Sequence, residues 1–261
     1  MEPKLEFDKI GYWSVLKLEI LKKYAAAYTR IMRAQSNPSY HYSYIDAFSG
    51  AGTHVLRKTG KPVPGSPLNA LAIEPPFLHF HFIDLDGSKV SYLRKAVGSR
   101  LDVDIYQGDC NSILLEKVFP KVLYKDYRRA LCVLDPYGLH LNWKVIAEAG
   151  MMKTIEIFLN FPVADMNRNV LWHNPSGVAP EHAARMTAFW GDDSWKTAAY
   201  VQSKQKKLFD DGGPDLLKSE NETIAEAFRQ RLQKVAGFTY VPQPIPMRNK
   251  TNATVYYLFF A

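Results

Sequence analysis

The chain has 261 residues, of which 47% are apolar and 13% aromatic, so it can build one large α/β domain with a sizeable core and is not disordered as a whole. Its uncharged apolar runs are too short to cross a bilayer, so no membrane association is expected, and its two cysteines exclude a disulfide framework and a cysteine-built zinc site. Lys and Arg outnumber Asp and Glu by 33 to 26, a mild excess that favours polyanionic partners such as nucleic acid.

The N-terminal segment predicts a helix that precedes the first strand. Apolar side chains recur at helical spacing over residues 14–33, namely Leu21, Tyr24, Ala25, Tyr28, Ile31 and Met32. We therefore expect residues 1–43 to form a helical segment packed on the core of an α/β domain at 44–261. No secretion signal precedes this helix, because the first residues lack a basic head followed by an apolar stretch. With so few cysteines, a cytoplasmic location is expected.

From residue 44 to residue 162, strands and helices alternate. The predicted strands are YIDAF (44–48), FLHFHFIDLD (77–86), VDIYQGD (103–109), ALCVL (130–134) and IEIFLNFP (155–162). The first helix between them is predicted to start at Ser66 and Pro67, with the serine as its cap, and the next is predicted at GSKVSYLRKAV (87–97). Continuous apolar strand cores are typical of strands that are covered on both faces. The pattern predicts a doubly wound α/β fold with a mostly parallel sheet.

After Pro162 the alternation stops. Residues 163–214 are predicted to form a helical or irregular insertion, with a basic patch at Lys204–Lys207 and a hinge at 210–214. A last helix follows, whose apolar stripe is Ile224, Phe228, Leu232 and Val235 and whose C-cap is Gly237. The chain then predicts a C-terminal antiparallel hairpin, with prolines in its first arm.

Polar side chains follow almost every predicted strand. They are Asp46, Asp84 with Asp86, Asp109, Asp135 and Asn160. Because ligands of such sheets bind outside the carboxyl ends of the strands, these side chains point to one shared crevice.

The glycines of YIDAFSGAGTH (44–54) admit three kinds of ligand loop. A Walker loop needs a Gly-Lys-Ser/Thr sequence, which is missing here. A dinucleotide loop needs a third glycine, where the chain has Val55, and a helix that follows at once, whereas the next predicted helix waits until Ser66. S-adenosylmethionine is the third ligand: it carries a cationic sulfonium and no phosphate, so Asp46 beside the turn is favourable.

The strand-end residues complete a predicted S-adenosylmethionine site. Gly50 and Gly52 allow a close backbone approach, Asp84 or Asp86 can accept the ribose hydroxyls, and Asp109 can accept the adenine amine. The full predicted cofactor set is Asp46, Phe48, Gly50, Gly52, Asp84, Asp86, Asp109 and Cys110. For each aspartate alone, a solvated strand end or a helix cap is the more ordinary role, and only their combination indicates a cofactor.

The acceptor of the methyl group is predicted to bind at Asp135-Pro136-Tyr137. The carboxylate and a backbone carbonyl can accept hydrogen bonds from an amine while the tyrosine stacks on a ring, although Pro-Tyr-Gly is also good turn chemistry. Asn160 and Phe161 are candidates to line the same pocket, and His54 and His140 are candidate proton acceptors. His79 and His81 are interpreted as structural, and no metal site is predicted.

Six motifs together resemble the three-Cys-motif partner protein family. They are YIDAFSGAG (44–52), GSPLNAL (65–71), FIDLD (82–86), GDCN (108–111), LDPYGLHLNW (134–143) and LNFP (159–162), and FWG (189–191) with Trp195 is similar to a later signature. The resemblance implies a class I methyltransferase type of fold, a cofactor of the S-adenosylmethionine class and a neighbouring partner that looks like a radical S-adenosylmethionine enzyme. It also implies a longer chain, since relatives continue beyond the strand at Ala261.

The sequence thus leads to a hypothesis with alternatives. The leading one is an S-adenosylmethionine-dependent methyltransferase that acts on a nitrogen of a nucleic-acid base. The others are a non-catalytic adaptor for the radical S-adenosylmethionine-like partner and a methyltransferase of small molecules or proteins.

Overall fold

The computed structural model describes residues 7–35, 37, 39–202 and 216–261. Its strands are β1 (Lys9–Ile10), β2 (His41–Asp46), β3 (Thr53–Leu56), β4 (Pro62–Pro64), β5 (His79–Asp84), β6 (Val103–Gln107), β7 (Arg128–Leu134), β8 (Ile155–Phe161), β9 (Tyr200–Gln202), β10 (Leu216–Lys218), β11 (Ile245–Arg248) and β12 (Thr254–Phe260). Its α-helices are α1 (Tyr12–Arg33), α2 (Ser66–Leu71), α3 (Gly87–Val97), α4 (Cys110–Ile113), α5 (Trp143–Met152), α6 (Val163–Asn169), α7 (Pro180–Trp190), α8 (Trp195–Ala199) and α9 (Asn221–Lys234).

The chain divides into two compact units. The first contains the residues up to Asp135 together with Glu148–Leu159, and the second contains Pro136–Ala147 together with Asn160–Ala261. Within the described residues, no helix has both the length and the apolar composition that crossing a membrane requires.

The first unit contains five parallel strands, with β2 in the middle. β5 and then β6 lie on one side of β2, and β7 and then β8 lie on the other. Numbered by their appearance in the chain, these five strands have the order 3-2-1-4-5, which is that of a doubly wound sheet. Right-handed connections that leave β2 in opposite directions place helices on opposite faces. The predicted α/β class is therefore confirmed, and the carboxyl ends of β2, β5, β6 and β7 share one edge.

The N-terminal part of the first unit adds a small sheet that the sequence did not predict. β1 pairs in parallel with β3, and β3 pairs antiparallel with β4, directly after the Gly50–Gly52 turn. Helix α1 buries Leu21, Ala25 and Tyr28 as predicted, whereas Ile31, in its last turn, is exposed.

Helix α2 begins differently from its prediction. Gly65 occupies the N-cap position and Ser66 is the first helical residue, so Ser66 does not cap the helix. Its side chain instead hydrogen-bonds Asp46. Helix α3, by contrast, spans the residues that the sequence predicted.

The second unit is mostly helical before its C-terminal hairpin. Helices α6, α7 and α8 lie in the segment that the sequence indicated to be helical or irregular, and the patch Lys204–Lys207 and hinge 210–214 lie outside the described residues. β11 and β12 form the predicted antiparallel hairpin, with an irregularity between Met247 and Arg248. Ile224, Phe228 and Leu232 of α9 are fully buried, but Val235 is exposed because the helix ends at Lys234.

Phe228 is the centre of the core of the second unit. Its ring lies 4.7–5.8 Å, between centroids, from five other aromatic rings: Trp143, Phe161, Phe189, Trp190 and Phe259. Such rings bury large areas and gain from edge-to-face and offset geometry.

We expect Phe228→Ala to lower the free energy of unfolding of the second unit by about 3–5 kcal/mol, because it removes a buried ring and leaves a cavity. Urea unfolding followed by tryptophan fluorescence measures this, since Trp143 and Trp190 border the cavity. The exposed Val235→Ala on the same segment should change it by less than about 0.5 kcal/mol. Equal effects of the two substitutions would contradict the central role of Phe228.

Candidate functional site

The carboxylate of Asp46 lies at the carboxyl end of the central strand β2, and its residue is 0% exposed. One oxygen, Oδ1, accepts a hydrogen bond from the Phe48 N–H at 3.2 Å, and the Ser66 side chain also bonds the carboxylate. The other oxygen, Oδ2, is buried and has no hydrogen-bond partner among the described residues. A buried acceptor without a partner costs free energy, so this oxygen is prepared for a donor or a cation.

Burial raises the pKa of Asp46 to about 7. The hydrogen bonds from Ser66 and Phe48 lower this pKa, while the nearby charges of Asp135 and Asp84 raise it further. At neutral pH the carboxyl group is therefore close to half protonated, and a cation bound beside it would favour the charged form.

The glycine turn after β2 is held against the end of β5. The Gly50 N–H donates to Asp84 Oδ2 at 2.8 Å, and the Ser49 N–H donates to the Ile83 carbonyl at 2.9 Å. Gly50 has φ 61° and open space where a Cβ would lie. Gly52 has φ 75°, and a Cβ there would lie 2.8 Å from Leu93 Cδ1, so both positions require glycine. Asp84 thus positions the turn as well as ending its own strand.

Asp86 and Asp109 are the N-caps of α3 and α4. Asp86 Oδ1 accepts from the N–H groups of Ser88 at 2.8 Å and Lys89 at 3.3 Å, and Asp109 Oδ2 accepts from the Ser112 N–H at 3.2 Å. Cys110 is the first residue of α4, and burial raises the pKa of its thiol to about 12. Because a carboxylate accepts several hydrogen bonds, capping a helix leaves these acids able to bind a ligand.

Lys17 is a site residue that the sequence did not reveal. Its Nζ lies 2.7 Å from Oδ1 and 2.6 Å from Oδ2 of Asp135, the residue that follows β7. The two residues are separated by 118 positions. The only pattern that the sequence shows in the helix of Lys17 is an apolar stripe, which does not indicate a partner for a lysine. The ion pair fixes the orientation of the Asp135 carboxylate.

His54, on β3, is electrostatically coupled to the same carboxylate. Burial lowers the pKa of His54, the charge of Asp8 raises it, and Lys17 and Asp135 act on it in opposite directions. Its Nδ1 atom is buried and has no hydrogen-bond partner among the described residues. The first unit therefore brings together Asp46, Asp84, Asp135 and His54 with Lys17.

The remaining predicted acceptor residues belong to the second unit. Tyr137 is 68% exposed and His140 is also exposed, whereas Pro136 and Asn160 are buried. Gly138 has φ 68°, and a Cβ there would lie 2.7 Å from Asp165 Oδ2. Phe161 is fully buried against Phe189, Phe228 and Phe259, so its surroundings give no support to the predicted substrate contact.

The residues of the first unit fit S-adenosylmethionine. Asp46 Oδ2 is a buried carboxylate oxygen that nothing in the described part of the chain pairs with, so it can accept a positively charged group, and the backbone at Gly50 leaves room for a ligand. Asp84, Asp86 and Asp109 supply oxygen acceptors for hydroxyl and amine groups. No phosphate-binding lysine belongs to the turn, which agrees with a ligand without phosphate.

Comparison with protein-family models and with curated proteins gave no match. Among solved structures, the DszA carbon methyltransferase is similar at a TM-score of 0.49 and 12% identity, over 97% of this chain and 55% of that one. The methyltransferase domain of bacterial CtHen1 has a TM-score of 0.46 and 10% identity, over 94% and 98%. LPL1258 from Legionella pneumophila has a TM-score of 0.47 and 14% identity, over 87% of this chain and 92% of that one. These scores carry no argument about function, which rests on the residues of this chain.

We expect the stability difference between Asp46→Asn and the natural protein to change with pH. The raised pKa of Asp46 gives a stability contribution that is complete below about pH 4 and is lost as pH rises to about 7. The variant lacks this loss, so its relative stability should increase by about 4 kcal/mol between pH 4 and pH 8. Urea unfolding at each pH measures the difference.

Glu226→Gln is the control for this series. A hydrogen bond from Arg229 lowers the pKa of Glu226 to about 2, so its contribution is complete above about pH 4.5 and its difference should be flat from pH 5 to pH 8. A flat difference for Asp46→Asn as well would show that its carboxyl group is not buried as described.

Proposed function

We propose that the chain is an S-adenosylmethionine-dependent methyltransferase that transfers the methyl group to a nitrogen of a nucleic-acid base. The observation that carries the proposal is the buried Oδ2 of Asp46 beside a glycine turn, an oxygen to which none of the described residues donates a hydrogen bond. The charges of Asp84 and Asp135 raise the pKa of Asp46, so this end of the sheet favours a cationic ligand over an anionic one.

On the cofactor side, Asp46 binds the cationic part of the ligand, and the Gly50–Gly52 turn provides the close backbone surface. Asp84 positions that turn through the Gly50 N–H, and Asp86, Asp109 and the Cys110 backbone accept or donate hydrogen bonds at the other end of the ligand. Phe48 contributes the N–H that holds Asp46 Oδ1. When bound, S-adenosylmethionine supplies an electrophilic methyl group.

On the acceptor side, Asp135 accepts a hydrogen bond from the amine that is to be methylated, and Tyr137 stacks on its ring. Pro136 offers its carbonyl, and Asn160 is a further polar candidate. In this assignment the residues mainly orient the nitrogen towards the methyl group. Orientation alone can raise the rate by several orders of magnitude, so no strong base is needed. His54 is the better-supported proton acceptor, since its buried Nδ1 accepts no hydrogen bond from any described residue, and His140 is the second candidate.

Nucleic acid is the proposed substrate class because of charge. The formal net charge is +7, and the turn between β3 and β4 exposes Arg57, Lys58 and Lys61. Cationic side chains on a turn next to the cofactor site can hold phosphates. The patch Lys204–Lys207 is a further candidate for the same role.

A non-catalytic adaptor is the second candidate function, and one observation favours it. Lys17 occupies both oxygens of Asp135, so an incoming amine has to share the carboxylate with an ammonium group. An ion pair between a lysine and an aspartate at the end of a strand can also have a purely structural role. The resemblance to the three-Cys-motif partner family supplies the partner for this alternative, a radical S-adenosylmethionine-like protein.

We expect S-adenosylmethionine to bind with a Kd of micromolar order, and Asp46→Asn to weaken it by at least about 30-fold, because a buried charge pair loses about 2–5 kcal/mol when one partner is removed. Isothermal titration calorimetry measures both. S-adenosylhomocysteine, which lacks the sulfonium charge, should lose less affinity in the variant. The control is Asp102→Asn, a residue paired with Arg100 that precedes β6, far from the carboxyl ends of the strands. No binding to the natural protein at millimolar ligand would end the proposal.

We expect the natural protein to transfer labelled methyl groups onto the nucleic-acid fraction of a cell extract, and Asp135→Asn to slow this at least about 100-fold through misorientation of the amine. The exposed Asp126→Asn is the matched control. Lys17→Met removes the same ion pair and should lower stability as Asp135→Asn does. It keeps the Asp135 carboxylate, so it should keep part of the methyl-transfer activity.

The same experiment separates the alternatives. Label on protein or small molecules, with no salt-sensitive binding to nucleic acid, would replace the substrate class. Binding of S-adenosylmethionine with no transfer to any fraction, together with co-purification of a radical S-adenosylmethionine-like protein, would establish the adaptor.

A further inference from the structure

A histidine-rich cluster lies on the first unit, at the beginning of β5 and β6. His79 and His81 are two residues apart on β5 and therefore point to the same face of the sheet. Asp104 of β6 is aligned with His81 in the strand pairing and shares that face. His81 lies about 10 Å along its strand from Asp84, so the cluster is separate from the proposed cofactor site.

The atoms of the cluster have the spacing of metal ligands. His79 Nε2 lies 3.2 Å and His81 Nδ1 lies 3.3 Å from Asp104 Oδ2. All three atoms lie within 4.8 Å of one another. Atoms that bind a tetrahedral ion at about 2.0–2.1 Å are themselves roughly 3.3 Å apart, so small rotations of the side chains suffice to surround an ion.

From this geometry we infer that His79, His81 and Asp104 form a binding site for a divalent transition-metal ion, with Zn²⁺ as the best fit. Two imidazole nitrogens and one carboxylate oxygen suit zinc, whereas magnesium and calcium prefer oxygen ligands throughout. Three protein ligands leave a fourth position of the tetrahedron for water or another small ligand.

The site is rigid on one side and accessible on the other. The His81 side chain is only 3% exposed, while those of His79 and Asp104 are 26% and 38% exposed. The buried histidine gives the ion a fixed ligand, and the exposed carboxylate gives it a path from solvent. A bound ion would also connect β5 to β6, the outermost parallel strand of the first unit.

Lys121 competes for the same carboxylate. Its Nζ lies 2.9 Å from Asp104 Oδ2 and 3.0 Å from the Tyr106 hydroxyl, which in turn donates to that oxygen at 3.0 Å. The lysine side chain is 51% exposed and belongs to the last residue of a short 3₁₀ turn, Phe119–Lys121, so it can swing into solvent. Metal binding must displace this ammonium group, and its removal should therefore tighten the site.

The test is a zinc titration of the full chain after removal of metal with a chelator, with a competing chelating dye to report affinity. We expect one Zn²⁺ per chain, at least tenfold weaker binding for His79→Gln and for Asp104→Asn, and several-fold tighter binding for Lys121→Gln. His173→Gln, an exposed histidine of the second unit, is the matched control and should leave affinity unchanged.

Cobalt substitution provides a second readout, since the visible spectrum of bound Co²⁺ reports tetrahedral coordination and should disappear in His79→Gln. Circular dichroism confirms that each variant is folded, and Lys121→Gln keeps the test decisive if a ligand variant unfolds. No zinc bound by the natural protein or by Lys121→Gln at micromolar concentrations, or equal affinity of the natural protein and folded His79→Gln, would overturn the inference.

Discussion

The burial of the Asp46 carboxylate at the end of the central strand is the constraint on which the site depends. An acid that is 0% exposed is costly unless its oxygens are bonded, and here the Phe48 N–H holds Oδ1 and the Ser66 side chain bonds the carboxyl group. This requirement explains why Ser66 does not cap its own helix: its side chain is used by Asp46, so Gly65 takes the N-cap position. The start of α2 is thus linked to the buried carboxyl group of Asp46, while Asp84 holds the turn after β2.

Local patterns predicted much of the fold because the strands and helices of the first unit show clear periodicities of apolar residues over short stretches of sequence. Helix α3 matches its prediction at both ends, since Asp86 caps its start and Gly98 follows its last residue. The sheet of β1, β3 and β4 escaped prediction because strands of two to four residues leave no period in the sequence, and because β1 pairs with β3 over more than 40 positions. Ile31 and Val235 belong to predicted apolar stripes but are exposed. An apolar stripe in the sequence does not show where other elements stop covering the helix.

The candidate site was predictable as a set of residue types and not as a set of contacts. Parallel strands bring their carboxyl ends to one edge, so Asp46, Asp84 and Asp135 had to lie near one another once the strands were identified. Their different environments depend on tertiary structure: Asp46 is buried, Asp84 is bonded to the turn, and Asp135 is paired with a lysine 118 positions away. For the same reason, the sequence could not show whether the ring of Phe161 lies in the core or lines a pocket.

Charge balance at this edge of the sheet gives a direction to the proposed reaction. Lys17 compensates Asp135, but Asp46 keeps one oxygen without a partner in the ranges that the structure describes, and the charges of Asp84 and Asp135 act on it. A ligand that carries a sulfonium cation relieves this excess of negative charge, whereas the sulfide left after methyl transfer does not. Cofactor and product would therefore differ in affinity by an electrostatic contribution located at Asp46, because burial there weakens the screening that would otherwise hide it. The feature that makes Asp46 costly for the fold is thus the one that would favour exchange of spent cofactor for fresh cofactor.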